Sequence, residues 1–513
     1  MSVRTINILA VLVLLVLSLA MLGNSMTKPL GRDEHMYCTA GVLMAQGKTI
    51  YRDFAYPTQL PYHPLLYAIL FKVLGTTHYL LVGRLVSVFA DILVMLCIVA
   101  LYRLAFGNLT VWGTSLGLCA AALYVYNPAV EYANGYAWNN DVVVLCVAGA
   151  FLLFARIEAS RKVGRLNIAA IGALLALATF MRTTTIIAAM LLLAALVSLP
   201  AKSIRERIKT TLPFLIAAGI VSIYPVVVIA RAPEAFSVNL FKIHLLNSQW
   251  LHQYGIVHDK LRLTLTYLTL PGYLVLFVVA VYLVGALVLH RGKLRISNGR
   301  SALLAVSLTG VFFAVALGLP TIWRQYLAPP VPFLLCSFAY PLASLRELSH
   351  RRASRIPIGV GVALVGIGVL AGWATGLSTS EKVAACFEPE RWVPVQVHRT
   401  ATDIAENTRE PKRVLTIGPL LALEGGCEIY PELSAGPFTY RIGNLMSETD
   451  RQITRTAGPE EIAQLAEQSP PSAIIVGAEP QYFSRLEEPL ESLAGGNWSK
   501  KSYENGLRVY FKP

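Results

Sequence analysis

Apolar stretches close to the ~20 residues a helix needs to cross a ~30 Å hydrocarbon core recur along the first three quarters of the chain. With water excluded, such segments must satisfy their own backbone hydrogen bonds, so the pattern dictates a bundle of helices. Eleven spans are expected, at 6–23, 79–102, 110–127, 139–155, 166–180, 184–199, 211–230, 272–289, 301–319, 327–345 and 356–376. Hydrophobic residues make up 55% of the chain and charged residues 14%, a balance far from that of soluble globular proteins. The first span follows Arg4 as a signal peptide would, but no small-x-small cleavage site follows at Gly23-Asn24-Ser25-Met26, so it reads as a retained helix.

Lys and Arg in short loops mark the cytoplasmic side of a membrane protein. Four clusters fall on one side if these spans alternate: Arg156, Arg161, Lys162 and Arg165; Lys202, Arg205, Arg207 and Lys209; Arg291, Lys293, Arg295 and Arg300; Arg346, Arg351, Arg352 and Arg355. The opposite loop 128–138 has neither residue type. The N-terminus is therefore expected inside and the C-terminus outside. Basic loops facing anionic lipid account for the net charge of +14 without nucleic acid as a partner. The acidic residues are scarcer: eleven of the 30 precede residue 377, and Glu158, Glu206 and Glu347 among them sit in the basic loops. Carboxylate chemistry on the outer side must draw on Asp33, Glu34, Asp53, Asp91, Glu131, Asp141, Glu234 and Asp259, or on the tail.

From about residue 377 charges of both signs and short β-type runs replace the apolar spans. Residues 377–513 read as a soluble α/β domain, with strands at Val414–Ile417, Ala473–Val476 and Leu507–Phe511 and amphipathic helices at 459–468 and 481–494. Gly425-Gly426 reads as a turn, and no Gly-rich phosphate loop or metal-spaced Cys/His set is seen there. The stretch Phe438-Thr439-Tyr440-Arg441 reads as a packed strand and turn, with contact to an acceptor as the alternative. Cys97, Cys119, Cys146 and Cys336 lie inside spans, where a small apolar role is the default. Cys386 and Cys427 lie in the outward tail, where pairing is open. Cys38 has no second thiol nearby.

Just past the first span comes Gly31-Arg32-Asp33-Glu34-His35-Met36-Tyr37, a dense ionisable cluster where charge is costly and rarely idle. It opens a long outer loop, 24–78, whose order of residues is distinctive. Asp33 to Tyr37 with Ala40 and Met44 are followed by Gly47-Lys48, Tyr51-Arg52-Asp53, Tyr62-His63-Pro64-Leu65-Leu66-Tyr67, Gly75 and Gly83-Arg84-Leu85. This pattern resembles the C-type glycosyltransferases, near the lipid A aminoarabinose transferases, protein O-mannosyltransferases and rhizobial lipopolysaccharide galacturonosyltransferases. The likeness covers roughly 1–345 and is densest in the first 150 residues. It implies a transmembrane domain, 1–376, that takes one sugar from a polyprenyl-phosphate carrier and gives it to an acceptor, a glycolipid or lipopolysaccharide before a protein. The expected setting is a bacterial inner membrane with the reaction on the periplasmic face. Such a transfer needs a base for the acceptor hydroxyl and positive charge on the departing phosphate.

Asp33 matches the family's acidic position at the start of the outer loop, as base or acceptor-positioning carboxylate; the alternative is an N-cap for a helix over 34–46. Glu34 either shares that role or favours the helix dipole. Asp141, in Trp138-Asn139-Asn140-Asp141, matches a second acidic position; an N-cap within an aromatic belt explains the same letters. Asn139 and Asn140 can bond sugar hydroxyls, and Tyr132, Tyr136 and Trp138 offer flat faces to sugars. For the phosphate the candidates are His63, Arg84, Arg182 and Arg324, with Arg231 and Lys242 also facing outward. Arg182 stands at a break between apolar runs, where it must face water or an anion. Arg324-Gln325-Tyr326 with Pro329-Pro330 resembles the basic, aromatic and proline segment that relatives place near the carrier phosphate. Guanidinium suits phosphate by bidentate geometry. His63 departs from the Lys common before the proline in relatives, and neutral His supplies no fixed charge. Arg84 and Asp91 share one face of the second span two turns apart, which suits pairing inside the bundle, with a reach to the phosphate as the alternative for Arg84.

No cofactor is expected. Some relatives use a divalent cation, but Asp33, Glu34 and His35 project ~100° apart on a helix and converge poorly with Asp141 on one ion. Two rival classes share parts of the pattern. A secondary transporter leaves the long aromatic loop and the outer domain unexplained, and no internal repeat is evident. An O-antigen polymerase or ligase uses the same carrier but places its large loop later in the chain.

Overall fold

The computed structural model describes residues 3–256, 259–290, 296–319, 322–351, 356–375 and 379–513. Helix dominates. The chain opens with α1 (Val3–Thr27), then two helices of the outer loop, α2 (Arg32–Ala45) and α3 (Tyr62–Leu74). There follow α4 (Tyr79–Phe106), α5 (Thr110–Val125), α6 (Pro128–Ala133), α7 (Asn140–Ser160), α8 (Arg165–Thr179), α9 (Ile186–Val197) and α10 (Ile204–Arg231). Gly75 closes α3 in the left-handed region at φ +58°, a conformation that glycine adopts without steric cost. α4 packs on α5 and α7, α7 on α8, and α8 on α10.

Among the described residues seven helices are long and apolar enough to cross a membrane, or eight if a bent pair is one span. The protein is thus a multipass membrane protein, with a smaller count than the eleven expected. The expected spans 110–127, 166–180 and 184–199 fall on α5, α8 and α9, of 16, 15 and 12 residues. At 1.5 Å per residue these reach only about 18–24 Å. The span expected at 356–376 is the helix Ile356–Thr375, set at 56° to the following helix Thr379–Ala385. Burial against neighbours does not by itself account for the apolar composition of the short helices, since only Ala188, Leu192 and Leu196 of α9 are buried.

Both ends of the bundle are defined by α4 and α7. At the far end of these helices a cavity of about 720 Å³ is lined by Asn108, Arg156, Ser160, Asn298 and Glu347, so loops carrying parts of three basic clusters meet there. Arg291, Lys293, Arg295, Arg352 and Arg355 lie outside the described residues. The opposite end, where α7 starts at Asn140, carries the outer loop and the tail domain.

The tail domain holds a five-stranded sheet in the order β2-β1-β3-β5-β4, built from β1 (Arg413–Leu415), β2 (Glu428–Ile429), β3 (Ala473–Val476), β4 (Ser499–Ser502) and β5 (Arg508–Phe511). β2, β1 and β3 run parallel, while β5 is antiparallel to β3 and β4. All four residues of β3 are buried, as its unbroken apolar run demands. The expected helices appear as Pro459–Glu461 with Ile462–Gln468 and as Gln481–Glu487 with Glu488–Glu491. Gly425 and Gly426 end the helix Pro419–Glu424, which packs on α2. Cys386 and Cys427 are free thiols, and so are the other five cysteines.

Candidate active site

α2 starts one residue before the acidic pair. Gly31 is the N-cap, and Glu34, three residues on, folds back to accept its N–H at 2.7 Å, the reciprocal half of a capping box. Asp33 therefore sits inside the first turn and is not the cap. Glu34 is fully buried and also accepts the Ala137 N–H at 2.7 Å. Its two oxygens take a bidentate pair of bonds from Arg84, at 2.9 Å from Nε and 2.8 Å from Nη2. The remaining Arg84 donors bond the carbonyls of Ser25, Lys28 and Pro29 at 2.8–2.9 Å. This buried pair ties the end of α1, the start of α2, α4 and the loop before α7 together. Such a pair is tolerated only when every donor and acceptor is met, as here.

Asp141 is engaged in the same layer. It is 1% exposed and accepts the Gly135 N–H at 2.9 Å. Gly135 has φ +84° and lies so close to Ser25 that a Cβ would stand 2.7 Å from the serine Cβ; no other residue fits that turn. Asp91 accepts from Tyr124 Oη at 3.0 Å and Asn134 Nδ2 at 2.6 Å. Lys28 donates to the Asn134 carbonyl at 2.6 Å, and burial pulls its ammonium down to about 7.

In front of this layer is a cavity of about 330 Å³. Asp33 lines it, and among the described residues no hydrogen bond or ion pair engages its carboxylate. Burial raises the Asp33 carboxyl above its ordinary value, opposed by the cations of Arg32 and Arg441. Arg32 holds a bidentate bridge to Glu479 of the tail domain, 2.9 and 2.5 Å, and burial pushes Glu479 up to about 7. Across the cavity Arg182 donates to Asn140 Oδ1 and lies over the Tyr326 ring at 5.0 Å. Asn139 bonds Gln59 at 2.7 Å and the Met181 carbonyl at 3.0 Å, and Tyr37 Oη lies 3.3 Å from Asn139. Tyr132, Tyr136 and Trp138 also line the cavity.

The structure thus brings Asp33, Asn140, Arg182 and Tyr326 to one cavity. Glu34, Arg84 and Asp141 stand behind it, with Glu34 alone also touching its edge. Arg324 is exposed and rests over the Tyr132 ring at 5.8 Å, at the rim. His63 does not line the cavity. It is buried between Tyr37 and Tyr67, with ring centroids 5.1 and 4.3 Å away, and burial drives it down to about 3, so it is neutral. Sequence reasoning offered Arg441 only within a stretch whose alternative reading was contact to an acceptor. The residue is 6% exposed, bonds Asn247 at 2.6 Å, lies between Trp250 and Phe438, and faces the cavity. The signal available was the aromatic and charged run 438–441, read as strand and turn; Pro437 instead starts a short helix, Pro437–Tyr440. Gln59, His244 and Asn247 had no signal.

No protein-family profile and no curated protein sequence matches the chain. Solved structures do. ArnT from Cupriavidus metallidurans bound to undecaprenyl phosphate superposes with a TM-score of 0.59 at 14% identity, over 99% of this chain and 98% of that one. Its apo state gives 0.58 at 13%, over 98% and 97%. The oligosaccharyltransferase of Archaeoglobus fulgidus in its apo form gives 0.52 at 11%, over 98% of this chain and 74% of that one. Both relatives are C-type glycosyltransferases, and over nearly its whole length this chain has their fold.

Proposed function

We propose that the protein is a membrane glycosyltransferase that moves a single sugar from a polyprenyl-phosphate donor to a glycolipid or lipopolysaccharide acceptor on the periplasmic face, with the N-terminus cytoplasmic. The observation that carries this reading is Asp33: a carboxylate with no protein partner among the described residues, facing a cavity whose other wall holds Arg182. The bound carrier in the ArnT crystal structure supports the donor class. In the proposed reaction Asp33 takes the proton of the acceptor hydroxyl as that oxygen attacks the anomeric carbon. The bond from that carbon to the phosphate oxygen breaks, and the electron pair leaves on the polyprenyl phosphate. Arg182, held by Asn140 and stacked on Tyr326, receives the developing charge by charge-assisted hydrogen bonds. Burial that raises the Asp33 pKa also makes it a stronger base.

Glu34, Arg84 and Asp141 act at one remove. They fix the first turn of α2 and the loop before α7 to which Asp33 and Asn140 belong. Vesicles supplied with a polyprenyl-phosphate sugar labelled in the glycosyl group test the reading. Label is expected to reach glycolipid with the wild type and not with Asp33→Asn. A wild type that moves no label, or an Asp33→Asn variant that still does, overturns it. Mass spectrometry of surface glycolipids from a deletion strain identifies the acceptor; a change confined to glycoproteins would reject the glycolipid assignment.

A further inference from the structure

At the start of α4, away from the cavity, metal-ligating side chains from three parts of the chain converge. His78 immediately precedes α4, His398 lies on the helix Val393–Asn407, and Glu424 ends the helix Pro419–Glu424. One donor atom from each lies within 4.8 Å of the other two. The imidazoles face each other at 3.6 Å between centroids and 31° between planes. His398 Nδ1 is 3.0 Å from Glu424 Oε2. Glu424 is 1% exposed, and its other oxygen accepts the Leu80 N–H at 2.6 Å.

A cap on α4 with a supporting histidine explains Glu424 and His398. It leaves His78 unexplained, because the His78 Nδ1 is buried without a hydrogen-bond partner, an arrangement that is rare unless something fills it. We propose that His78, His398 and Glu424 bind a divalent late transition metal of the zinc class, clamping the tail domain to the start of α4. Two imidazoles and a carboxylate are a recognised zinc donor set that leaves the fourth position for water. Tetrahedral bonds of about 2.1 Å put neighbouring donors about 3.4 Å apart, so from a separation within 4.8 Å the widest pair closes by at most about 1.4 Å, a movement within side-chain rotation. Glu424 then binds metal through Oε2 while Oε1 keeps the α4 cap, an anchored carboxylate of the kind that orients metal sites.

The clamp bears on the cavity. The helix Pro419–Glu424 packs on α2, and a Cβ on Gly418 would stand 3.3 Å from the His35 ring. Leu80 is one turn, about 6 Å, from Arg84 along α4, and Arg84 holds the first turn of α2. Full-length protein in detergent, stripped with chelator and dialysed against zinc, tests the site through metal content per chain and the thermal midpoint. The wild type is expected to retain one zinc per chain and to gain in midpoint on zinc addition. His78→Ala and His398→Ala should each lose about tenfold or more in zinc affinity and the zinc-dependent gain. His78→Gln, which keeps bulk and polarity, serves if an alanine variant fails to fold. Wild type that retains no more zinc than the double variant His78→Ala/His398→Ala, or single variants that bind as well as the wild type, overturn the site. Asp33→Asn must bind zinc as the wild type does, so loss of transfer and loss of metal are separate results.

Discussion

Two layers of ionisable side chains stand back to back at the end of the bundle where α7 starts, and they use the same residue types for opposite purposes. In the rear layer Glu34, Arg84 and Asp141 are buried and bonded to each other or to backbone. In the front layer, among the described residues, no hydrogen bond or ion pair engages the Asp33 carboxylate, and the Arg182 guanidinium meets Asn140 and a ring face. Adjacent residues, Asp33 and Glu34, belong to different layers. Hydrogen-bond saturation separates the adjacent pair: Glu34, whose oxygens accept four hydrogen bonds, has no lone pair left for a substrate proton, whereas a carboxylate facing a cavity has.

The sharpest way to break this contrast is to remove one member of each layer. Asp33→Asn should lower transfer by roughly 10²–10⁴-fold, the usual worth of a general base, with the unfolding midpoint unchanged; equal loss of stability would merge the two layers. Arg84→Leu should do the reverse, destabilising by roughly 3–5 kcal/mol because Glu34 is left as an unpaired buried charge. Denaturant unfolding measures it, and the double variant Glu34→Leu/Arg84→Leu should recover much of the loss. If Arg182 bonds the donor phosphate as proposed, Arg182→Ala removes a charge-assisted bond worth about 1.5–3 kcal/mol, so donor KM should rise about 10–100-fold with stability held. A gain in neither KM nor product-release rate would remove Arg182 from the front layer.

The smallest effect concerns pH. In the proposed reaction Asp33 acts in its ionised form, so the rate is expected to fall as pH drops through its pKa, which burial has raised. Arg441 favours the carboxylate and holds that pKa down. Arg441→Gln should therefore move the acid limb of the pH–rate profile to higher pH, with little change in the alkaline plateau. A limb that stays in place, or moves toward acid, would place Arg441 outside the field of Asp33.

Much of this arrangement is legible in the sequence, but unevenly. The cluster 31–37 stands out because ionisable residues beside an apolar span are expensive, and Asp33, Asn140, Arg182 and Tyr326 do share one cavity. Asp33 as N-cap fails because Gly31 and Glu34 supply the cap together, and the helix begins two residues before the expected 34. Glu34 and Asp141 look in sequence as good as Asp33; their partners, Arg84, Ala137 and Gly135, lie up to 103 residues away or across a turn. Arg441 comes from a domain whose sequence gives no sign of which surface faces the membrane. The pair His398 and Glu424 is 26 residues apart and needs His78, more than 300 residues earlier, to become a metal-binding set.

The sequence by itself determined the class of the molecule: an apolar bundle, because backbone groups in lipid have no other partner, and a separate α/β tail, because alternation and charge return there. It also determined where expensive charge would collect. Tertiary structure alone decided how the chain is threaded, since α5 and α8, shorter than the other apolar helices, still run between the two ends of the bundle, α5 from the end of α4 toward the start of α7 and α8 from the end of α7 to Arg182. It decided as well which carboxylate is left open. That outcome depends on the count of donors reaching each oxygen, and those donors arrive only when distant segments pack.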